Sequence, residues 1–296
     1  CLTKSSPEFT AVREGLKKDF AEAAEQFGGV EAVACRTEKR TFTFRIRKSG
    51  GRSNKPNPLT KWLKTLGIFG CGSHQKFIPE EVFTLQKARL SLFLNRLFAT
   101  DGWAHVLKSG QIQLGYASVS EKLIRQVQHL LLRFGVIAKL KKRNVKYRQT
   151  RRAAFQLDIT DAVSIKTFLT EIGIFGKEEI TEEILKRLET RSYRTNKDLI
   201  PAEIWDYLSA AKGGESWASL AGRADIKGGS NIHVGRRAPS RTRLEKFARA
   251  LNDEFLKCLA DSEIYWDEIV SIEYAGEKKV YDLTIPETHN FVANDI

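Results

Sequence analysis

The sequence predicts an α+β protein with two copies of one unit related by pseudo-twofold symmetry, then a small helical region and a β-rich C-terminal segment. An internal repeat is the main observation: "WLKTLGIFG" at 62–70 resembles "FLTEIGIFG" at 168–176, and 27–46 resembles 134–159. The two pairs are offset by 106 and 107 residues, so the two copies share one architecture.

Each copy is predicted to contain an amphipathic helix, two strands and a second helix, which gives an αββαββα-like saddle. Apolar residues at helical spacing mark the first helix: Val12, Leu16, Phe20 and Phe27 in one copy, and Leu123, Val127, Leu130, Leu131 and Phe134 in the other. Alternating apolar residues mark the strands: Phe42, Phe44 and Ile46, and Phe155, Leu157 and Ile159. One face of each sheet is therefore expected to be packed.

Positive charge is concentrated in two parts of the chain that include these strands. Residues 139–152 include eight Lys/Arg and no acid, and residues 36–52 include seven Lys/Arg against one acid. The expected DNA contacts are Arg45, Arg47, Lys139, Lys141, Arg143 and Arg151. A sheet face of this kind predicts salt-dependent binding to double-stranded DNA. A basic surface that is merely solvated is the alternative.

The C-terminal part differs in charge from the rest. The chain carries +13 overall, yet residues 252–296 have three Lys/Arg against eleven Asp/Glu. This asymmetry predicts a separate C-terminal module beside a basic, nucleic-acid-binding body.

Several classes of protein are excluded by the sequence. No apolar run approaches the ~18 residues of a membrane span, and no signal peptide is present, so a soluble, cytoplasmic protein without a membrane partner is expected. The four cysteines lack paired spacing, which predicts reduced thiols and no zinc site. Because the chain contains no methionine, even at position 1, it is expected to be a fragment or a processed piece.

An aspartate occupies an unfavourable position in the segment "LFLNRLFATDGWA" at 92–104. The apolar spacing predicts a helix that runs into Asp101-Gly102, where the carboxylate meets the negative end of the helix dipole at a cost of ~0.3–1 kcal/mol. A simple Asp-Gly turn is one interpretation. A functional carboxylate is the other.

This helix, placed between two copies of a helix and strand unit, resembles the LAGLIDADG (DOD-type) homing endonucleases. Leu94, Leu97, Asp101 and Gly102 match the nine-residue motif, and Phe98 replaces its isoleucine. Asn95 and Arg96 depart from the small residues that let two motif helices pack closely, which puts the helix interface in doubt.

The resemblance implies the chemistry of the site. Asp101, with Gly102, would bind Mg²⁺ at the scissile phosphates of double-stranded DNA. Lys76 in "QKFIPEEVF" and Lys177 in "IFGKEE" match the active-site lysines of the family, although no Ile-Pro follows Lys177. The first motif helix would lie upstream of Cys1, so this fragment alone is expected to be inactive.

The C-terminal sequence resembles a different family. "VYDLTIPETHNFVANDI" at 280–296 is similar to the penultimate conserved block of inteins, which implies a Hint-type segment in which Asp282 and His289 assist splicing without a cofactor. The N-terminal splicing block and the final His-Asn pair are missing, and Cys1 is interpreted as an internal residue. The sequence resembles inteins of replicative DNA helicases, so such a helicase is the expected host.

Residues 216–253 resemble a helix-turn-helix of the phage-repressor type. "SWASLAGRA" would be the supporting helix, and a later helix would begin after Ser240 as its N-cap. Between them, Asn231, His233, Arg236 and Arg237 could contact DNA. A plain helical connector is the alternative.

The sequence thus predicts an intein with an embedded, Mg²⁺-dependent homing endonuclease, expected to be a monomer. The predicted domains are the first, N-terminally truncated endonuclease repeat (1–80), the second repeat with the motif helix (81–190), the helix-turn-helix (191–255) and the splicing segment (256–296). A catalytically dead, sequence-specific DNA-binding protein and an RNA maturase of the same fold are the rival interpretations.

Overall fold

A computed structural model describes residues 7–36, 42–50, 56–147, 149–190, 198–226, 234–267, 269, 271–279 and 284–286. The chain divides into two compact units, Cys1–Tyr193 and Arg194–Ile296. The α+β class is confirmed: the described residues form two antiparallel sheets and eleven α-helices. None of the described helices is long and apolar enough to cross a membrane.

The first repeat forms a three-stranded sheet. Its elements are β1 (Glu8–Ala11), α1 (Glu14–Phe27), β2 (Val30–Arg36), β3 (Phe42–Lys48) and α2 (Pro58–Thr65). The strands are antiparallel, in the order β1-β3-β2.

The second repeat forms a four-stranded sheet. After a short 3₁₀ turn, its elements are α3 (Glu80–Phe83), α4 (Lys87–Asp101), β4 (Gly102–Val106), β5 (Ile112–Ser118), α5 (Glu121–Leu132), β6 (Lys139–Tyr147), β7 (Thr150–Ile159), α6 (Ala162–Glu171) and α7 (Glu178–Thr190). The strand order is β4-β5-β7-β6. The first sheet follows the same order when β1, β3 and β2 are matched with β5, β7 and β6.

The repeated "GIFG" has the same backbone conformation in both copies. Gly67 and Gly70 have φ of 69° and 87°, and Gly173 and Gly176 have φ of 67° and 72°. These left-handed angles cost little at glycine and are unfavourable for other residues. The similarity between 62–70 and 168–176 therefore reflects a turn that both copies require.

Side-chain caps fix where the helices begin. Asn57 Oδ1 accepts hydrogen bonds from the backbone N–H of Leu59 at 2.9 Å and of Thr60 at 3.3 Å. In the second repeat, Asp161 caps α6 by accepting from Ser164 N–H at 3.0 Å. Such caps satisfy backbone donors that have no partner within the helix.

The main core lies between the second sheet and its helices. It includes Leu94 and Phe98 of α4, Leu130 of α5, Leu157 of β7 and Phe168 of α6, all fully buried. In β7 the buried Phe155, Leu157 and Ile159 alternate with only partly buried residues on the other face, as the sequence predicts.

The predicted apolar stripe of α1 is wrong at both of its ends. Val12 is 68% exposed because the helix begins only at Glu14. Phe27, the last helical residue, is 40% exposed and contacts Trp62 with a ring-centroid distance of 5.5 Å. Between them, Phe20 packs against the small core of the first repeat, as predicted.

Two arginines join the repeats within the first unit. Arg96 of α4 donates to both carboxylate oxygens of Asp19 in α1, at 2.9 and 2.6 Å. Its guanidinium also lies 4.0 Å from the Phe175 ring centroid. In the opposite direction, Arg13 Nη1 donates to the carbonyl of Gly176 at 2.8 Å.

The regular elements described in the second unit are helices. The unit contains α8 (Ile204–Ala211), α9 (Trp217–Arg223), α10 (Arg241–Leu251) and α11 (Glu254–Asp261). The predicted N-cap is confirmed, since Ser240 Oγ accepts from Arg243 N–H at 3.3 Å. Trp205 and Phe247 lie at the centre of its core.

The β-rich C-terminal segment stays a prediction. The first residues of the range 256–296 belong to α11, and the described residues after Asp261 form no strand. Residues 280–283 and 287–296, which carry most of the intein-like block, lie outside the described residues.

Candidate functional site

Asp101 is the last residue of α4, and the first strand of the sheet begins at the next residue. A Cβ added at Gly102 would lie 2.6 Å from the Phe98 carbonyl oxygen, so the direct passage from helix to strand requires glycine. Asp101 is exposed, and no described residue forms a hydrogen bond or ion pair with its carboxylate. The carboxylate is therefore available to an external cation.

A cleft of about 460 Å³ opens beside this carboxylate. It is lined by Asp101, Lys76 and Lys177, together with residues of β1 and the start of α1 from the first repeat. The three predicted catalytic residues of the nuclease thus lie around one space, although they are far apart in sequence.

Lys76 is positioned through its backbone. Its carbonyl oxygen accepts from Ser120 Oγ at 2.5 Å, and the same hydroxyl caps α5. Two residues further on, Ile78 N–H donates to Gln126 Oε1 at 2.8 Å. The segment is fixed on α5 while the Lys76 side chain remains exposed, which suits a cation that meets a phosphate.

Lys177 is held directly against the end of the motif helix. Its Nζ donates to the carbonyl of Gly102 at 2.5 Å. Burial, and secondly the charge of Arg13, lowers the pKa of the Lys177 ammonium. A larger fraction of Lys177 is therefore neutral near physiological pH than for a solvated lysine.

Two further residues of the site escaped the sequence reasoning. Arg13 lines the cleft just before α1, where the sequence predicts helix and gives no sign of a functional residue. Tyr116 pairs with Gly102 across β4 and β5, and burial together with the Asp101 charge raises the pKa of its phenol. Both follow from contacts between distant parts of the chain.

The lowered pKa of Lys177 predicts its reactivity. In a pH series with an amine-reactive anhydride and peptide mapping, the labelling midpoint of Lys177 should lie below the ~10.4 of an unperturbed lysine. Arg13→Ala should move this midpoint upward, because removal of a nearby positive charge stabilises the ammonium. The other lysines provide the reference in the same digest. A midpoint at or above the unperturbed value would contradict the prediction.

The donor set fits one part of a magnesium site. No group of three or more His, Cys, Asp or Glu side chains that could hold a metal occurs among the described residues. Mg²⁺ is commonly held by only one or two carboxylates plus substrate phosphates and water. Asp101 would supply one carboxylate, and the Gly102 carbonyl keeps a lone pair beside the bond from Lys177.

The open face of the second sheet is basic. Lys139, Lys141 and Arg143 lie on the face of β6 opposite to Leu140, which packs against the core, and Lys139 and Arg143 are exposed. Lys141 forms an ion pair with Asp158 at 2.6 Å. By the same alternation Arg151 falls on the opposite face, at the exposed end of the hairpin, whereas its neighbour Arg152 shares the open face.

The two cations predicted on the first sheet lie close to acidic residues. Arg47 is exposed, but it lies directly opposite Glu31 in the β2–β3 register. Arg45 forms an ion pair with Glu8 at 2.9 Å. Of the predicted DNA contacts, Arg45 and Lys141 are thus paired with acids, whereas Lys139 and Arg143 are exposed.

Four other predicted residues, Asn231, His233, Asp282 and His289, lie outside the described residues. Arg236 and Arg237 are described and exposed, in a turn that precedes α10. The Arg237 carbonyl accepts from Trp205 Nε1 at 2.8 Å, which ties this turn to the core of the second unit.

Comparison with known families assigns both parts of the chain. Residues 89–173 match the model of a LAGLIDADG-like domain, and residues 176–296 match that of an intein splicing domain. The chain contains a LAGLIDADG-like domain followed by an intein splicing domain. The LAGLIDADG-like match includes Asp101 and the basic sheet face. The intein match includes the helical unit and Lys177.

The chain is also similar to parts of several curated proteins. The chain is 36% identical to Replicative DNA helicase DnaB of Synechocystis sp. over 254 residues, 82% of this chain and 28% of the relative. It is 33% identical to the DnaB of Nostoc sp. over 286 residues, 94% of this chain and 32% of the relative. Protein RecA of Mycobacterium tuberculosis is 26% identical over 266 residues, 83% of this chain and 34% of the relative. The chain thus spans about a third of the length of each of these relatives.

Proposed function

We propose that this chain is the endonuclease and C-terminal splicing part of an intein, and that its nuclease cuts double-stranded DNA with Mg²⁺. The observation that carries the proposal is the cleft that brings Asp101, Lys76 and Lys177 together. A carboxylate flanked by cations suits phosphodiester cleavage, because the attacked phosphate gains negative charge in the transition state.

The host is proposed to be a replicative DNA helicase. The identity is higher to the helicases than to the RecA protein, at 36% and 33% against 26%. Similar segments in a helicase and in a RecA protein are what an element inserted into different hosts would produce. The chain spans only about a third of the length of these relatives. We assign the remaining sequence of each relative to the host protein and to other parts of its intein.

Each residue of the cleft has a distinct role in this proposal. Mg²⁺ bound at Asp101 would supply positive charge at the scissile phosphate and acidify a coordinated water. Lys76, exposed at the rim, binds a non-bridging phosphate oxygen. Lys177, with its lowered pKa, accepts a proton from the attacking water or orients it. Arg13 adds a second cation for the phosphate.

A second carboxylate is proposed to come from outside the described residues. The described part of the cleft contains one acid, Asp101. Cleavage of two strands through two metal positions needs a carboxylate for each. We therefore propose that the described cleft, in a monomer, does not make double-strand breaks without this second carboxylate.

The DNA-binding part of the proposal is tested by the salt dependence of affinity. Neutralising about six phosphates gives a slope of log K against log [salt] near −5, at ~0.9 per phosphate. Lys139→Ala with Arg143→Ala should reduce the magnitude of this slope by about 2 in a mobility-shift titration.

Lys18→Ala with Lys61→Ala is the matched control, because these two lysines lie on α1 and α2, which pack against the other face of the first sheet. The control should keep the wild-type slope. A flat salt response of the wild-type protein would show that the sheet does not bind the DNA backbone.

The second unit is proposed to read part of the target through a helix-turn-helix. Support comes from α9, from the Ser240 cap of α10 and from the exposed pair Arg236 and Arg237 between them. In the same titrations, their double alanine variant should weaken binding to the cognate site by ~1–3 kcal/mol per base-reading contact. Equal loss on all sequences would instead indicate a connector that contacts phosphates.

The splicing part of the proposal rests on the match at 176–296. Within it, Asp282 and His289 are proposed to assist cleavage of the peptide bond at the C-terminal junction, and no cofactor is required. In the complete host protein, His289→Ala should slow formation of the joined product on a denaturing gel. Unchanged joining would remove His289 from this role.

A catalytically dead DNA-binding protein is the second candidate, favoured by the single carboxylate in the described cleft. It differs from the main proposal in one result: no cleavage would occur even when a second motif helix is supplied. The intein splicing match makes an RNA maturase a weaker explanation.

A further inference from the structure

Three polar side chains form a closed cluster on the open face of the second sheet. Lys141 Nζ donates to Asp158 Oδ2 at 2.6 Å, and Gln156 Nε2 donates to Asp158 Oδ1 at 2.5 Å. The Asp158 side chain is only 14% exposed, so its carboxylate lies beneath the other two groups. Both carboxylate oxygens are thus occupied by neighbours in the sheet.

This arrangement fixes the direction of the Gln156 amide. A carboxylate only accepts hydrogen bonds, so the NH₂ group of Gln156 must face Asp158 and its carbonyl oxygen must point away. One N–H and the Oε1 atom of Gln156 are then left for another molecule. No described residue bonds to either of them.

The surrounding residues leave room for that molecule. Ala117 lies directly opposite Gln156 in the β5–β7 register, and Ala154 is the next residue of β7 on the same face. Neither has a side chain long enough to cover the amide. The free edge of Gln156 is therefore accessible from the side on which Lys139 and Arg143 are exposed.

We propose that Gln156 recognises an adenine base in the major groove and that Asp158 is the positioning residue that sets its amide. This inference rests on the proposed binding of DNA to the sheet. Adenine presents the N6 amino donor beside the N7 acceptor, which match the free Oε1 and N–H of Gln156. Guanine presents two acceptors, N7 and O6, so its O6 would face the Gln156 oxygen. Lys141 donates to the second oxygen of Asp158, so that oxygen does not compete for the amide.

The test is a binding selection from randomised duplex DNA with the whole chain, followed by sequencing. The wild-type protein should enrich adenine at one position of the site. Gln156→Ala should reduce that preference by about 5- to 150-fold, the range of one bidentate base contact, and should leave other positions unchanged. Asp158→Asn should give a different result, because an asparagine can also donate and so releases the amide: guanine should become accepted beside adenine.

Gln26→Ala, an exposed glutamine on α1, is the matched control and should leave the whole profile unchanged. If the wild-type protein and Gln156→Ala enrich the same base at every position, the inference is wrong while DNA binding by the sheet stands. If Asp158→Asn keeps the strict adenine preference, the positioning role is wrong. If no duplex is enriched by any variant, the proposed function fails and the inference fails with it.

Discussion

Asp101→Asn is expected to abolish Mg²⁺-dependent cleavage of double-stranded DNA. The assay combines the chain with a polypeptide that carries an apolar helix ending in Asp-Gly, which supplies the second carboxylate. Asparagine keeps the shape of the side chain but removes its charge, so the metal loses its anionic ligand. A contribution of several kcal/mol corresponds to a rate loss of at least about 100-fold. The measurement is the rate of appearance of linear product from a supercoiled plasmid that contains the target site.

Asp261→Asn is the matched control, because Asp261 is also an exposed aspartate at the last position of a helix, α11. It should leave the rate unchanged. DNA affinity in Mg²⁺-free buffer should also persist in Asp101→Asn, since one carboxylate does not attract the phosphate backbone. Efficient double-strand cleavage by the unsupplemented chain would show that the second carboxylate need not be supplied by another polypeptide.

Phe98→Ala is expected to destabilise the first unit by about 3–5 kcal/mol, the usual cost of removing a large buried aromatic side chain. Phe98 is fully buried on α4, with ring centroids 5.2 Å from Tyr116 and 4.6 Å from Phe168. Its removal would leave a cavity between the motif helix, the sheet and α6. The free energy of opening is measured from the urea dependence of amide hydrogen exchange in α4, which reports on this unit separately.

Leu92→Ala is the control on the same helix. Leu92 is 49% exposed, so its loss should cost less than about 1 kcal/mol. Equal costs for the two variants would mean that α4 is not anchored through Phe98.

The sequence was sufficient to predict the backbone structure wherever a local pattern determines the conformation. The "GIFG" glycines, the Ser240 cap and the passage from α4 into β4 at Gly102 all depend on neighbouring residues. The grouping of Asp101, Lys76 and Lys177 was reached differently, through resemblance to a family, because these residues are distant in sequence and no local pattern brings them together.

The remaining features depend on tertiary contacts. Arg13 lines the cleft and donates to the Gly176 carbonyl of the other repeat, a contact that no local pattern in the sequence predicts. Arg45 and Lys141 alternate with apolar residues as the basic face requires, but acids on adjacent strands pair with both of them. The alternation of residues in one sequence indicates on which face of a strand a side chain lies. It does not indicate which residues of the adjacent strands lie beside that side chain, so the ion pairs of Arg45 and Lys141 were not predicted.

Arg96 shows the same limit at the motif helix. The sequence comparison treated it as a departure that put close helix packing in doubt. In the structure it donates twice to Asp19 of the other repeat and stacks on Phe175. The larger side chain thus has a partner that the motif alone could not reveal.

The two arginines connect the repeats in opposite directions. Arg13 of the first repeat bonds to the second repeat, and Arg96 of the second repeat bonds to the first. Moving one repeat away from the other along these bonds would lengthen both sets, and hydrogen bonds weaken beyond about 3.2 Å. The two arginines therefore oppose such a displacement from both sides. Arg13 also lies beside Lys177. The residue that aligns the two repeats therefore also places a positive charge next to the Lys177 amine.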